Sequence, residues 1–242
     1  MTEREFFRDE WEASYERGEN NILYPQSEVV RFLNRFVTKK VDFHNTEQVM
    51  DRPDQGPLRC LDFACGVGVH SILCEEFGIS ATGVDISQTA ISKAKLHARQ
   101  KGYEALSDRL TVVEQDNASL EFADNWFDFS IAESCLDSMY FDNARVYFKE
   151  LVRVSRSKIY FSVIGVNEDT QRKPEDVVVK TSHEFNTIQS YYDYDRILEL
   201  IGGGEECLEF FMESREHRLF PKNSLASRFY VVVDVQKIKN GA

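Results

Sequence analysis

Apolar runs that fit buried β-strands alternate with helical patterns through the middle of the chain. The predicted strands and the helices between them are 59–64, 69–78, 80–86, 87–102, 110–116, 126–134, 143–155 and 158–165. Alternation of this kind builds right-handed βαβ units, in which helices cover both faces of a parallel sheet. The sequence therefore predicts a three-layer, Rossmann-like α/β fold, and 242 residues are enough to bury its core.

The pattern changes after residue 165. Residues 166–190 are polar and loop-like, a short helix is predicted over 191–201, and two long β-like runs follow at 207–220 and 227–238. The segment between these runs is short and polar, which is typical of an antiparallel hairpin. We expect this hairpin to form the edge of the sheet.

The two ends of the α/β pattern indicate the domain organisation. The N-terminal segment carries two helical patterns, the second of which Ser27 can cap, and residues 40–57 are predicted as a loop. We expect residues 1–57 to form a helical cap or substrate lid and residues 58–242 to form the ligand-binding domain. Within that domain, residues 166–194 are predicted as a lid insertion.

The stretch "LDFACGVGVH" at 61–70 places Asp62 ahead of a turn that contains Gly66 and Gly68. Glycines at such a turn let the backbone approach a ligand closely, because no Cβ stands in the way. A dinucleotide fingerprint needs a third glycine, but Ser71 occupies that position here. A carboxylate ahead of the turn is a poor neighbour for a pyrophosphate, whereas it suits an ammonium group.

Acidic residues also end the next two predicted strands. Asp85 ends the second strand, where a carboxylate accepts hydrogen bonds from both ribose hydroxyls. Asp116, Asn117 and Ala118 end the third strand, and a carboxylate or amide there can accept from an adenine amino group. Each acid alone fits a helix cap or a turn, but together they describe a ligand with an amino acid head, a ribose diol and an adenine. That ligand is S-adenosylmethionine.

Four motifs resemble those of the class I S-adenosylmethionine-dependent methyltransferases: "LDFACGVGVH", "GVDIS" (83–87), "EQDNASLEF" (114–122) and "FDFSIAESCLDSM" (127–139). The resemblance covers about residues 58–165 and, more weakly, the terminal β pair. It implies a mostly parallel seven-stranded sheet with an antiparallel C-terminal hairpin. Two positions depart from the family pattern: Ala64 replaces a common glycine, and "VSRSK" (154–158) replaces the usual L-x-P-G-G turn.

The segment "EWEASYERGENNILYP" is similar, less specifically, to the entry segment of thiopurine- and tellurite-type small-molecule methyltransferases. Trp11, Tyr15 and Gly18 match its spacing, and in that family the second aromatic covers the cofactor. An aromatic stripe that packs one helix on the core explains the same pattern. Together the resemblances imply these cofactor-binding residues: Tyr15, Asp62, Ala64, Gly66, Gly68, Asp85, Ile86, Asp116, Asn117, Ala118 and Glu133.

Methyl transfer requires an aligned nucleophile, exclusion of water and, for a hydroxyl or amine, a proton acceptor. The resemblance places the reacting methyl group at the ends of the first and fourth strands. Because "ESCLDSMY" (133–140) follows the fourth strand, Glu133, Asp137 and Tyr140 are candidate catalytic residues; Glu133 alternatively faces the methionine end of the cofactor. His70 is expected to pack or cap. The candidate lid residues are Tyr15, Tyr24, His183, Tyr191, Tyr192 and Tyr194.

Charge and composition narrow the classes of partner. The net charge of −12 opposes nucleic acid and anionic lipid, and no apolar run has the length of a membrane span. The five cysteines include no C-x-x-C pair and the five histidines show no metal-binding spacing, so we predict reduced core thiols and no metal. We expect a cytoplasmic protein that is a monomer or a homodimer.

Three alternatives to a small-molecule methyltransferase stay open. A protein methyltransferase of the lysine type fits the same sequence, whereas the DNA amino-methylating signature [DNS]-P-P-[YFW] is absent. Ser71 and Asp62 argue against an NAD(P)-dependent oxidoreductase. A non-catalytic cofactor-binding protein is the third. The prediction we favour is transfer of a methyl group to an O, N or S atom of a small molecule.

Overall fold

The computed structural model describes residues 3–52, 56–113, 119–166, 172–218 and 224–241. Its helices are α1 (Glu3–Arg17), α2 (Ser27–Phe32), α3 (Val69–Glu76), α4 (Gln88–Gln100), α5 (Glu104–Ser107), α6 (Phe141–Val154), α7 (Tyr194–Ile201) and α8 (Val235–Lys239). Its strands are β1 (Thr38–Lys40), β2 (Thr46–Gln48), β3 (Arg59–Phe63), β4 (Ser80–Asp85), β5 (Leu110–Val112), β6 (Phe127–Ala132), β7 (Ser155–Gly165), β8 (Asp176–Val178), β9 (Ile188–Ser190), β10 (Leu208–Arg218) and β11 (Ser224–Asp234).

Seven strands form one sheet in the order β10-β11-β7-β6-β3-β4-β5. β3 pairs in parallel with β4 and β6, and β4 pairs in parallel with β5. β11 runs antiparallel to both β7 and β10. This arrangement confirms the predicted mostly parallel seven-stranded sheet with its antiparallel C-terminal hairpin. The strand order reverses at β3, and ligands of open α/β sheets bind outside the carboxyl ends of the strands at such a point.

The chain forms two compact units. The first contains Met1–Asn117 and Trp126–Ile131. Its central strand β3 is buried over four consecutive residues, as expected of a strand that helices cover on both faces. The Ser87 side chain accepts a hydrogen bond from the Ala90 N–H, so the predicted cap of α4 is present. In the same unit Phe32 packs edge-on against Phe129 of β6, with ring centroids 5.7 Å apart.

The second unit contains Ala118–Asn125 and Ala132–Ala242. The apolar stripe of α6 is buried, and its Phe148 packs edge-on against Phe161 of β7 at a centroid distance of 5.6 Å. Asp193 caps α7 by accepting a hydrogen bond from the Arg196 N–H. These contacts follow the helical and strand periodicities that the sequence predicts for this region.

Short strands occupy two stretches that were predicted as loops. β1 and β2 form a hairpin whose turn is stabilised by Asp42, since its Oδ1 accepts hydrogen bonds from the N–H groups of His44 and Asn45 at 2.8 Å. β8 pairs with β9 within 166–190. Each of these strands is three residues long, which is too short for an alternating apolar pattern to reveal it.

Two element boundaries also differ from the predictions. Ser27 lies inside α2, and the preceding Gln26 provides no side-chain cap. The strand predicted over 227–238 ends at Asp234, whose side chain accepts hydrogen bonds from the N–H groups of Gln236 and Lys237 and so starts α8. A capping carboxylate favours a helix start even where the apolar run continues.

Candidate functional site

The turn after β3 holds its backbone in the left-handed region at three positions. Ala64, Gly66 and Gly68 have φ angles of 56°, 54° and 82°. Glycine adopts this region freely, whereas alanine is strained there. The backbone conformation therefore explains why a glycine suits position 64, and Ala64 holds local strain in the turn.

The glycines of this turn lie against other parts of the first unit. A Cβ at Gly66 would lie 2.7 Å from the Tyr15 hydroxyl, and a Cβ at Gly68 would lie 2.9 Å from the Ala94 Cβ in α4. Gly83 in β4 is equally tight, because a Cβ there would lie 2.8 Å from the Ser71 hydroxyl. Gly68 thus serves close packing of α4, while Gly66 is the position over which the Tyr15 side chain lies.

Asp62 is buried and faces Ser71. Its Oδ2 accepts a hydrogen bond from the Ser71 hydroxyl at 2.6 Å. Burial raises the pKa of Asp62, and the nearby His70 and the Ser71 hydrogen bond act against that rise. The two details that distinguish this turn from a dinucleotide fingerprint, the acid ahead of it and the serine at the third glycine position, are therefore one buried pair.

Asp85 ends β4 with both carboxylate oxygens engaged by the backbone. Oδ2 accepts from the Gly66 N–H at 2.8 Å and Oδ1 accepts from the Ser87 N–H at 2.9 Å. Burial raises the pKa of Asp85 to about 6, even though these hydrogen bonds favour the ionised form. Asp85 joins the glycine turn to the start of α4. Ile86 follows it and is half-buried.

Helix α1 lies against the turn and α4. The Glu12 carboxylate accepts hydrogen bonds from the Ser87 hydroxyl at 2.6 Å and the Thr89 N–H at 3.0 Å, and so adds a second cap to α4. The Lys93 ammonium donates to the Tyr15 carbonyl at 2.5 Å. Tyr15 packs in a cluster with Val67 of the turn. Residues about 75 positions away in sequence thus hold the N-terminal helix against the turn and α4.

We expect Glu12→Ala to lower the free energy of unfolding by about 1–2 kcal/mol, as loss of a helix cap does. Chemical denaturation followed by circular dichroism measures this change. Glu16→Ala, an exposed position on the same helix, is the matched control and should change stability by less than about 0.5 kcal/mol. Equal losses of unfolding free energy in the two variants would show that the Glu12 cap does not stabilise the protein.

Asp116, Asn117 and Ala118 lie outside the described residues, so the predicted adenine contact stays a prediction.

In the second unit, Glu133 directly follows β6 and is half-buried. Its Oε2 accepts a hydrogen bond from the Tyr160 hydroxyl at 2.8 Å, and its Oε1 accepts from the Ser134 hydroxyl at 3.0 Å. Ser134 has a φ of 52°, a left-handed conformation that is uncommon for residues other than glycine. Strain of this kind often marks a functional site.

Asp137 is fully buried and connects three parts of the second unit. Its Oδ2 accepts from the Ile164 N–H at 2.8 Å and from Nη1 of Arg228 at 3.2 Å. Its carbonyl accepts from the Ser190 N–H at 2.8 Å. Burial raises the pKa of Asp137, and the Arg228 charge opposes that rise. These contacts join the turn after β6 to β7, β9 and β11.

Tyr140 is the N-cap residue of α6 and is half-buried, with its carbonyl accepting from the Ala144 N–H at 2.9 Å. The next residue, Phe141, donates its N–H to Asp176 Oδ2 at 3.1 Å. The β8–β9 segment therefore holds the start of α6, and with it the backbone at Tyr140.

The aromatic residues predicted for the lid have different environments. Tyr192 is fully buried and donates its hydroxyl to the Leu136 carbonyl at 2.8 Å. Tyr191 is buried, and Tyr194 packs edge-on against Phe211 at a centroid distance of 5.2 Å. Tyr24 and His183 are exposed. The lid insertion itself stays a prediction.

His70 packs as expected of a structural residue. It is buried, and its Nε2 accepts a hydrogen bond from the Gln26 N–H at 3.2 Å. Burial lowers the pKa of His70, which favours the neutral imidazole that this contact requires.

Sequence reasoning missed Glu12, Tyr160 and Arg228. Glu12 and Tyr160 carry no local signal, because their partners lie 75 and 27 residues away. Arg228 did carry a local signal, since it is a charged residue within the apolar run "SRFYVVVDV".

Two negative findings hold for the part of the chain that the structure describes. No cluster of three or more His, Cys, Asp and Glu side chains there is arranged to bind a metal ion. No described helix combines the length and apolar character needed to cross a membrane. All five cysteines are buried free thiols, as predicted.

The residues around the glycine turn fit S-adenosylmethionine. Asp85 places a carboxylate at the strand end, where a ribose diol needs an acceptor. The backbone at Gly66 carries no Cβ, and the space that a Cβ would fill adjoins the Tyr15 hydroxyl. Both features belong to the first unit and meet at Gly66.

Comparison with known proteins supports this fit. Residues 61–163 match the family model described as a methyltransferase domain. The ubiquinone biosynthesis O-methyltransferase of Bradyrhizobium sp. (strain ORS 278) is 44% identical over 61 residues, a match that covers 24% of this chain and 22% of that enzyme. The putative methyltransferase YqeM of Bacillus subtilis is 26% identical over 181 residues, covering 70% of this chain and 69% of that protein.

A solved structure extends the likeness to nearly the whole chain. The 1,6-didemethyltoxoflavin-N1-methyltransferase of Burkholderia thailandensis, with 1,6-didemethyltoxoflavin and S-adenosylhomocysteine bound, has a TM-score of 0.63 and 14% identity. The match covers 97% of this chain and 91% of that one. Identity this low establishes the fold alone, while the domain match contains both the glycine turn and Asp85. Residues 61–163 thus match a methyltransferase domain, and the chain has the fold of solved methyltransferases.

Proposed function

We propose that this protein transfers the methyl group of S-adenosylmethionine to an O, N or S atom of a small-molecule acceptor. The observation that carries the proposal is Asp85, which ends β4 and is held by the N–H groups of Gly66 and Ser87 beside the glycine turn. A small acceptor is supported by the names of the relatives, which act in ubiquinone biosynthesis and on 1,6-didemethyltoxoflavin.

The proposed cofactor site combines the turn with α1. When bound, S-adenosylmethionine supplies a methyl group already activated by its sulfonium. We assign Asp85 to the ribose hydroxyls, and the Tyr15 side chain over Gly66 to exclusion of water. Asp62 acts through its hydrogen bond to Ser71, which fixes the start of α3. The remaining assigned residues are Ala64, Gly68, Ile86, Asp116, Asn117, Ala118 and Glu133.

Among the acidic candidates, Glu133 suits the role of proton acceptor. Its carboxylate is half-buried, and the Tyr160 and Ser134 hydroxyls hold it in one orientation. A general base has to reach the acceptor atom in a defined geometry. The fully buried Asp137, engaged by Arg228 and the backbone, suits a positioning role. We assign Tyr140 to acceptor contact.

Calorimetric titration with S-adenosylmethionine, S-adenosylhomocysteine and NADH tests the cofactor assignment. We expect binding of the first two and none of NADH. A parallel assay measures S-adenosylhomocysteine release in the presence of phenols, amines, thiols and a lysine-containing peptide. Methylation of a small molecule supports the proposal, whereas methylation of the peptide alone favours a protein methyltransferase. Binding of NADH alone would favour an oxidoreductase, and cofactor binding without any transfer would favour a non-catalytic protein.

We expect the protein to act in the cytoplasm as a monomer or homodimer, without nucleic acid or membrane partners. The net charge of −12 supports only the expected absence of nucleic acid and anionic membrane partners.

A further inference from the structure

The guanidinium of Arg228 is fixed on one side by its own unit. Its Nη1 lies 3.0 Å from the Ser134 hydroxyl, 3.1 Å from the Ser162 hydroxyl and 3.2 Å from Oδ2 of Asp137. Arg228 pairs in register with Ile164, near the carboxyl end of β7, and the Ile164 N–H binds the same Asp137 oxygen. The side chain therefore has one orientation that strand pairing and a buried carboxylate define together.

The other edge of this guanidinium is open. Among the residues that the structure describes, no side chain or carbonyl accepts a hydrogen bond from Nε or Nη2 of Arg228. The side chain as a whole retains 29% of its solvent exposure. An arginine held in this way presents two parallel N–H donors, which match the two oxygens of a carboxylate.

Three of the four carboxylate oxygens nearby have hydrogen-bond donors, whereas the buried Oδ1 of Asp137 has none among the described residues. Asp137 uses Oδ2 on Nη1 of Arg228, and the two oxygens of Glu133 accept from the Ser134 and Tyr160 hydroxyls. The Nε and Nη2 edge is thus the donor pair of this cluster that has no partner among the described residues. Glu133, the proposed proton acceptor, and Arg228 both bind the Ser134 hydroxyl. One cluster therefore offers a base for the atom to be methylated and a cation for a second group of the acceptor molecule.

From this geometry we propose that Arg228 is a specificity-determining residue that binds a carboxylate carried by the methyl acceptor. The inference rests on the proposed function and narrows its substrate class. The acceptor is a small acid in which the atom to be methylated is a separate hydroxyl, amine or thiol. Arg228 holds the carboxylate by a bidentate contact, and this orients the second group.

The test uses matched acid and amide probes on protein loaded with S-adenosylhomocysteine. The pairs are benzoate and benzamide, 4-hydroxybenzoate and 4-hydroxybenzamide, and 3-phenylpropionate and 3-phenylpropionamide. We expect at least one acid to bind about tenfold more tightly than its amide, as a charge-assisted contact gives. Arg228→Gln should abolish the preference, and Arg228→Lys should retain only part of it, because lysine keeps the charge without the planar fork.

Two controls separate this inference from folding and from the proposed function. Arg145→Gln removes an exposed arginine of the same unit and should leave the preference unchanged. The affinity for S-adenosylhomocysteine and the thermal midpoint are measured for every variant. Failure of wild-type protein to bind S-adenosylhomocysteine would overturn the proposed function itself. Intact cofactor binding without preference for any acid, or with the same preference in Arg228→Gln, would overturn only the role of Arg228.

Discussion

Asp85→Ala is expected to bind S-adenosylhomocysteine about 100-fold more weakly than the wild type. Two ribose hydroxyl contacts to an ionised carboxylate, each contributing about 1.5–3 kcal/mol, readily account for such a loss. The substitution also removes the acceptor of the Gly66 and Ser87 N–H groups, which holds the turn against α4. Isothermal titration calorimetry measures the change directly.

Asp108→Ala is the control for Asp85→Ala, because Asp108 is an exposed acid of the same unit at the end of α5. It should bind S-adenosylhomocysteine as the wild type does. An Asp85→Ala variant that remained folded and kept wild-type affinity would remove Asp85 from the cofactor site and with it the observation that carries the proposed function.

The same carboxylate makes cofactor affinity depend on pH. The pKa of Asp85 is about 6 because burial disfavours its ionised form, and ribose hydroxyl donors bind best to that ionised form. Affinity should therefore be greatest above pH 6 and should fall as the pH decreases through that value. Titrations between pH 5 and 8 measure this slope, which should be absent in Asp85→Asn.

The stability of the cofactor-free protein should change with pH in the opposite direction. The folded state binds the Asp85 proton more tightly than the unfolded chain does, because the pKa in the folded state is raised. The stabilisation from this proton is complete below the unfolded pKa of about 4 and is lost as the pH rises through about 6. The wild type should therefore lose unfolding free energy relative to Asp85→Asn as the pH rises from 4 to 7.

The second large effect is expected at Asp137. Asp137→Ala should lower the free energy of unfolding by about 2–4 kcal/mol, because it leaves the Arg228 guanidinium and the Ile164 N–H without their buried acceptor. The loss falls short of that for a fully buried ion pair, since water can reach the partly exposed Arg228. Urea denaturation measures it.

Asp142→Ala, an exposed acid in the first turn of α6, is the control for Asp137→Ala and should change stability by less than about 0.5 kcal/mol. If Asp137→Ala were as stable as this control but had lost methyl transfer, Asp137 would act on the acceptor and the positioning role assigned to it would be wrong.

Much of the fold was predictable because its signals are local. The strands around Leu61, Val84 and Ile131 are short segments that contain several apolar residues, and their alternation with helices is enough to predict a parallel sheet. The cap at Ser87 was predictable for the same reason, since its partner lies three residues away. The three-residue strands at 38–48 and 176–190 were not, because such short strands carry too little pattern.

The candidate site also has some features that local sequence reveals and others that it does not. Asp62, Gly66, Gly68 and Asp85 were recognisable because a glycine turn between acidic strand ends is a local motif. What their side chains contact was not predictable. Asp62 faces Ser71 inside the fold, and Gly68 serves the packing of Ala94. Among the acids after β6, sequence position alone does not distinguish Glu133 from Asp137, since burial and partners decide their roles.

The sequence by itself determined the strand and helix segments, the glycine turn and the acidic residues near the strand ends, because each depends on residues that are neighbours in the chain. Only the tertiary structure decided that Glu12 caps α4, that Tyr160 holds Glu133 and that Asp137 holds Arg228. These contacts join residues 27 to 91 positions apart, and no local pattern encodes which distant partner a polar side chain meets. Folding brings such partners together when it buries the apolar runs, and the cost of burying an unpaired polar group then selects the pairs that form.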